Sequence, residues 1–303
     1  MKELVKLRVP ATTANLGPGF DCLGMALDIW NQFEFSSNES PALHVNGEGA
    51  GSLSTGRGNL VYKAAERYFR EMGLSVPSLS IACQNQIPLA RGLGSSSSAI
   101  VGGLLGASAV AGAKGQDLDL VWRLAVEMEG HPDNVTPAIF GGCQVVVQDQ
   151  ETLVHAQVPF PEDLRAVMFI PDKPMPTDRA RGILPPQVSI ENAVYNSGRV
   201  ALLVNALATG QLEYLRVATQ DKLHQPFRKA LMPEMHLLFR SALDAGAMGV
   251  FLSGAGPTVL ALTQGRELTI AYEMTDMANK TQLHGQVRIT KPIMQGAHIT
   301  TKQ

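Results

Sequence analysis

The run Pro88-Leu89-Ala90-Arg91-Gly92-Leu93-Gly94-Ser95-Ser96-Ser97-Ser98 combines residue types suited to holding an anion. Its glycines let the backbone turn sharply without a Cβ, leaving main-chain N–H groups free to converge on a phosphate. It follows a strand-like segment and leads into a small-residue, apolar stretch that reads as a helix, whose positive end would add to the attraction. Ser95 to Ser98 supply hydroxyls, although serine also caps helices without any ligand, so a capped helix start after a tight turn needs the same residues. A Walker loop requires lysine where Ser95 stands, and the dinucleotide fingerprint requires a third glycine where Ser97 stands. The run is therefore a nucleotide-phosphate loop of another kind.

A second glycine-rich run, Ser253-Gly254-Ala255-Gly256-Pro257, joins two strand-like segments. It would permit close approach to the phosphate loop or to a substrate, and a tight hairpin would need the same glycines. His131 and His224 lack partners at ligand spacing and read as polar framework. Cys22, Cys83 and Cys143 are odd in number, widely spaced and set among apolar neighbours, which suits reduced thiols rather than a disulfide framework or a zinc site.

These loops must be carried by a sizeable scaffold. The chain has 303 residues, 45% hydrophobic and 17% charged, enough for a large core and most simply two domains. Its 25 basic and 27 acidic side chains leave a formal charge of −2, without the electrostatic footprint that attracts nucleic acid or an anionic membrane. The longest weakly polar run, residues 99–113, falls short of the roughly 20 apolar residues of a bilayer span and reads as a buried helix. The first ten residues alternate like a strand and lack a signal peptide's apolar stretch, so a cytoplasmic location is expected.

Periodicity predicts strands over 3–9 and 25–35, separated by the polar connector ATTANLGPGFDCLG. A helix is expected over 59–72, capped by Asn59, then a strand over 78–84, a helix over 118–129 ended by Gly130, and a strand over 142–148. The second half should hold strands over 165–170, 249–252 and 258–263, and helices over 189–208, 212–218, 234–245 and 268–282. A last strand over 286–290 would close the chain. Helices and strands interleave without a regular βα repeat, which points to a two-domain α+β protein.

With these elements in place, PLARGLGSSSSA resembles the central P-x-x-x-G-L-G-S-S-x-A motif of the GHMP small-molecule kinases. PATTANLGPGFD (residues 10–21) and LSGAGPTV (residues 252–259) stand where that family has its other motifs. PATTANLGPGFD and EGHPDNVTPAIFGG (residues 129–142) are similar to blocks of the branch that phosphorylates homoserine. The resemblance implies an ATP-binding domain of the ribosomal-S5 second-domain type over 1–155, and a ferredoxin-like domain over 156–303 that contributes substrate residues, with the active site between them. It also implies MgATP as cosubstrate and transfer of a phosphoryl group to the side-chain hydroxyl of L-homoserine, a step of threonine biosynthesis. The alternatives are a kinase of another small alcohol such as mevalonate, or an inactive ligand sensor on the same fold. The expected partner is the small substrate, with no nucleic acid or membrane and with a homodimer left open.

By position in the family motifs, Pro88 to Ser98 would hold ATP, and Ser96 and Glu129 would hold Mg²⁺ through the oxygen ligands it prefers. Glu127, two residues earlier on the same helix, would point elsewhere. Asp21 would take the substrate ammonium, Asn15 its polar groups, and Arg181 and Arg228 its carboxylate. Asn134 occupies the place where other family members have an aspartate base. An amide cannot accept the substrate proton, so Asn134 would orient the hydroxyl, with Glu129 contributing through the metal. If the loop is shifted by one, Asp133 becomes a candidate base. Residues 59–61 lie where the family approaches adenine, although helix capping explains Asn59 equally well.

Overall fold

The fold is that of a computed structural model, which describes residues 4–37, 41–112, 117–150 and 152–302. Glu3, the first residue of the expected N-terminal strand, and Ala113, the last of the weakly polar run, lie outside these. Two sheets organise the described residues. In the first, β1 (Leu4–Asn15) and β2 (Gly19–Ser37) form a long hairpin, flanked by β3 (Ala42–Gly47), β4 (Leu79–Asn85), β5 (Cys143–Asp149) and β6 (Thr152–Val158). Helices α1 (Leu60–Glu71), α2 (Ser95–Val110), α3 (Leu118–Glu129) and α4 (Pro132–Phe140) belong to the same half of the chain.

The packing follows from side-chain types. Val61, Ala64, Ala65, Tyr68 and Phe69 give α1 one buried face, and the Asn59 carboxamide caps it by accepting the Val61 N–H at 2.9 Å. Helix α2 is apolar all round and almost fully buried. Its Gly102 and Gly106 leave just the room taken by the rings of Phe33 and Phe35 from β2. Asp117 caps α3 and Gly130, with positive φ, ends it.

The second sheet contains β7 (Arg165–Pro171), β8 (Gly249–Leu252), β9 (Val259–Thr263) and β10 (Gly285–Thr290), in the order β10-β7-β9-β8. The helices between β7 and β8 are α5 (Thr177–Gly182), α6 (Ile190–Thr209), α7 (Leu215–Ala218), α8 (Gln225–Arg228) and α9 (Met235–Asp244), and α10 (Glu267–Lys280) joins β9 to β10. This β-α-β-β-α-β succession with its 4-1-3-2 strand order is the expected ferredoxin-like topology.

Three expectations are corrected. The supposed connector between the first strands is itself strand: Thr12 pairs with Ala26, Thr13 with Met25 and Ala14 with Gly24. Its threonines look loop-like because they are buried polar residues bonded inside a site rather than facing water. Helix α4 was not expected across two prolines, yet Pro132 sits at a helix start, where proline's fixed φ is favourable. The chain does not close at 286–290, because β11 (His298–Lys302) returns to the first sheet as an antiparallel partner of β1. Strands β3 and β6 and helices α5 and α8 also escaped notice, being short or exposed on one face. Among the described residues no helix is long and apolar enough to cross a membrane.

Candidate active site

A cavity of about 440 Å³ is lined by residues from α1, the phosphate loop, α3, α4, α5, α8 and the 253–257 run. One end is the anion cradle. Gly92 and Gly94 both take positive φ, and Gly94 starts α2 without any side-chain cap, leaving the helix's first N–H groups available. Leu89, Ala90, Arg91, Gly92, Leu93, Gly94, Ser95 and Ser96 line the cavity, whereas Pro88, Ser97 and Ser98 are buried behind it. The Arg91 guanidinium is not aimed into the cradle. It donates to the Pro171 carbonyl at 2.6 Å, to Leu89 at 2.8 Å and to the Asp172 carbonyl, latching the loop to the end of β7.

Ser96 and Ser97 both donate to Oε1 of Glu129, at 2.6 and 2.9 Å. Glu127 is engaged elsewhere, with Arg67 and Arg123 on an exposed face. A hydroxyl and a carboxylate beside an uncapped helix start are the hard oxygen donors that Mg²⁺ takes, together with substrate phosphates and water. Among the described residues no three His, Cys, Asp or Glu side chains gather into a metal cage. At the far end, Val45, Leu53 and Cys83 give the cavity apolar walls beside Asn59, Leu60 and Val61. Both polar ends of the Asn59 side chain are used locally, one on Val61 and the other on the Ser54 carbonyl at 2.7 Å.

The three sequence motifs meet in one hydrogen-bonded junction. The Ser253 hydroxyl donates to the Gly92 carbonyl at 2.6 Å and bonds the Thr13 hydroxyl at 2.8 Å. Gly254 N–H donates to Ala14, and the Gly254 carbonyl accepts from both Asn15 Nδ2 and Arg228 Nη1 at 2.9 Å. The 253–257 run is thus a buttress between the first hairpin and the phosphate loop.

The charged side chains gather at the remaining wall. Arg181 clamps Asp21 through two bonds of 3.0 and 2.6 Å, and Asn15 accepts the Asp21 N–H at 3.0 Å. Both guanidinium groups lie near the Phe20 ring, Arg181 at 5.4 Å and Arg228 at 5.6 Å from its centroid. Arg228 is only 2% exposed; burial, aided by the like charge of Arg181, pulls its pKa down to about 10. It therefore remains a cation at neutral pH, held against its desolvation cost by fixed acceptors.

Asn134 is oriented by Thr12, whose hydroxyl donates to Asn134 Oδ1 at 2.7 Å. Its Nδ2 donates to Asp133 Oδ1 at 3.2 Å, and His131 Nδ1 bonds the same oxygen at 2.7 Å. Burial alone would lower His131, but the bond to Asp133 and the charges of Asp133 and Glu129 outweigh it and hold the imidazole above its ordinary pKa. Sequence reasoning named Asp21, Arg181 and Arg228, which the fold brings together, but not Thr12, Phe20 or the partners of the histidines. A threonine and a phenylalanine within PATTANLGPGFD carry no signal of their own until the chain folds around them. The cysteines are free thiols, and burial pushes Cys143 up to about 12, which leaves it unreactive.

His224 is fully buried and stacked on Phe20. Burial and the nearby Arg228 charge lower its pKa from 6.5 to about 4 against the opposing pull of Asp221. Between these values the unfolded chain binds a proton that the folded chain refuses, so stability is lost as the pH falls through that window. The loss is at most about 3 kcal/mol at about 1.4 kcal/mol per pH unit. Urea unfolding from pH 7 to 4 should show this slope, and H224Q should flatten it; an unchanged slope in H224Q would assign it to the carboxylates.

Comparison with known proteins places these features among relatives. The GHMP kinases N terminal domain matches residues 59–142, and the GHMP kinases C terminal matches residues 203–280. The chain is 43% identical over 295 residues to a homoserine kinase of Thermosynechococcus vestitus, covering 96% of this chain and 97% of that one. It is 42% identical over 291 residues to a homoserine kinase of Moorella thermoacetica, covering 96% and 98%. The crystal structure of homoserine kinase from Cytophaga hutchinsonii superposes with a TM-score of 0.88 at 28% identity, covering 98% and 97%.

Proposed function

This chain belongs to the homoserine kinases of the GHMP kinase family, and we propose that its cavity transfers the γ-phosphoryl group of ATP to the side-chain hydroxyl of L-homoserine as follows. The observation that carries this reading is that one cavity is lined both by the glycine-rich loop at the start of α2 and by Arg181 and Arg228, with the Asp21 carboxylate bonded to Arg181. A free α-amino acid presents the complementary charges, one negative and one positive. Its carboxylate would take Arg181 and Arg228, and its ammonium would take Asp21, replacing the internal Asp21–Arg181 pair with two ion pairs of the same kind. Each charge-assisted contact is worth about 1.5–3 kcal/mol, enough to reject a ligand lacking either group by about ten- to a hundredfold.

Ser96 and Glu129 would hold Mg²⁺ against the nucleotide phosphates, supplying charge neutralisation for phosphoryl transfer. Ser97 keeps Glu129 in place from behind. With Oδ1 accepting from Thr12 and one Nδ2 hydrogen on Asp133, Asn134 keeps its second Nδ2 hydrogen to offer. That donor would hold the lone pair of the homoserine hydroxyl and turn its proton away from the amide. Catalysis would then come from alignment and electrostatic stabilisation, with the proton passing to phosphate or water rather than to Asn134. Asp133, hydrogen-bonded by His131 and Asn134, serves as the anchor of this arrangement. The product, O-phospho-L-homoserine, belongs to threonine biosynthesis.

The test is ADP release from MgATP with L-homoserine, D-homoserine, L-serine, L-threonine and mevalonate. Turnover should be fastest with L-homoserine by at least about tenfold in kcat/KM, since each competitor misplaces a charge or the hydroxyl. Preferential turnover of mevalonate would remove the amino-acid reading. ATP binding without turnover of any alcohol would make the chain a sensor on this fold.

A further inference from the structure

We infer that His224, acting only as a neutral imidazole with its proton on Nε2, is the positioning residue that holds Arg228 in place for the substrate carboxylate. The proposal rests on the reading of Arg228 given above. His224 has no exposed surface and lies one helical turn before Arg228. Its Nε2 is 2.7 Å from the Gly17 carbonyl, and its Nδ1 is 2.9 Å from Arg228 Nη1. A carbonyl can only accept and a guanidinium can only donate, so these two contacts together fix the tautomer. Nε2 carries the hydrogen, and Nδ1 offers its lone pair to the arginine.

The surroundings enforce this state. Asp221, whose Oδ2 is 3.6 Å from Nε2, accepts the N–H groups of Leu223, His224 and Gln225 and the side-chain amide of Asn196, and so spends its carboxylate on these donors. On the other side Arg228, with Arg181 and Asp21 beyond it, supplies the charges that face the ring. Protonating Nδ1 would set an N–H against the guanidinium. The low pKa of His224 agrees with this geometry.

The arrangement joins two parts of the site. Gly17 belongs to the turn of the β1–β2 hairpin that also presents Asn15, Phe20 and Asp21, whereas Arg228 ends α8 in the other half of the chain. Arg228 has three further supports: the Ala180 carbonyl at 3.3 Å, the Gly254 carbonyl at 2.9 Å and the Phe20 ring. Those carbonyls draw the guanidinium towards α5 and the 253–257 run. Beside the Phe20 ring of the hairpin, His224 adds a directional tie through the Gly17 carbonyl to the strand turn bearing the ammonium site, so the imidazole helps set the spacing between the two charges that an amino acid must match.

The experiment compares H224L, H224Q and R228A in the full chain, with steady-state kinetics in L-homoserine and in MgATP. Glutamine keeps one acceptor and one donor on a flat amide, whereas leucine keeps neither. H224L should raise the homoserine KM by about tenfold, the scale of one lost charge-assisted contact, with the MgATP KM moving less than about twofold. H224Q should recover most of that loss. An unchanged homoserine KM in H224L, equal rises in both KM values, or a glutamine variant as impaired as leucine would overturn the proposal. If R228A leaves the homoserine KM unchanged, the reading of Arg228 falls and takes this one with it. If R228A raises it and H224L does not, only the role of His224 falls. Should H224L not fold, ¹⁵N NMR of the wild-type imidazole decides. A signal of the Nε2–H tautomer constant from pH 8 to 6 supports the proposal, and an Nδ1–H tautomer or titration near the ordinary histidine pKa overturns it.

Discussion

Replacing Arg228 with alanine is expected to raise the KM for L-homoserine by about ten- to a hundredfold, the equivalent of about 1.5–3 kcal/mol for one lost charge-assisted contact. The MgATP KM should change far less, because the guanidinium lies against Gly254, Ala180 and His224 rather than in the phosphate cradle. Arg228 is only 2% exposed and already desolvated before substrate arrives, so the cost of stripping its water is met in folding. That preorganisation is why its loss should exceed that of a solvated surface arginine. Steady-state kinetics in both substrates would check this. Equal rises in the two constants would mean that the substitution had disturbed the whole cavity instead of one substrate contact.

Gly92→Ala should lower kcat/KM for MgATP by at least about a hundredfold, the scale on which misplacing a reacting group by an ångström acts. A Cβ at Gly92 would land on the Ser253 carbonyl oxygen and press on the backbone of Gly256, neither of which can swing aside as a side chain could. Its φ of 73° adds the left-handed strain that non-glycine residues pay. Gly73 separates the two effects: it has a φ of 65°, yet a Cβ there meets nothing within 4 Å. Gly73→Ala should therefore cost only the backbone term, about 1–2 kcal/mol in stability, with activity intact. Urea denaturation and MgATP kinetics on both variants would test the argument. Matching activities would mean that the loop accommodates a side chain and that its contact with the 253–257 run does not set phosphate geometry.

Both expectations turn on the junction of three sequence motifs, and its pieces were unequally legible. The phosphate loop was readable because its function is carried by backbone: glycines at a turn before a helix announce free N–H groups whatever surrounds them. Helices α1 and α3 were readable because their apolar stripes and caps are local. Thr12 and Thr13 were not, since a buried threonine in a strand has the same letter as an exposed one in a loop. Only the pairing of β1 with β2 places Thr12 against Asn134 and Thr13 against Ser253. Helix α4 was obscured by its prolines, although the first of them occupies the position where a helix has no N–H to lose.

By itself, the order of residues determined the α+β class, the phosphate loop, the absence of a strong electrostatic footprint and the motifs that align with the GHMP kinases. These depend on composition and on periodicities a few residues long. Tertiary structure alone decided that β11 returns to β1, that the Arg91 guanidinium latches the loop to the end of β7, and that Asp21 and Arg181 pair across 160 positions. It also decided that His224, unremarkable in sequence, grips Arg228 as a neutral ring. Such assignments depend on which donor meets which acceptor once water is excluded, and that is settled by packing between segments far apart in the chain.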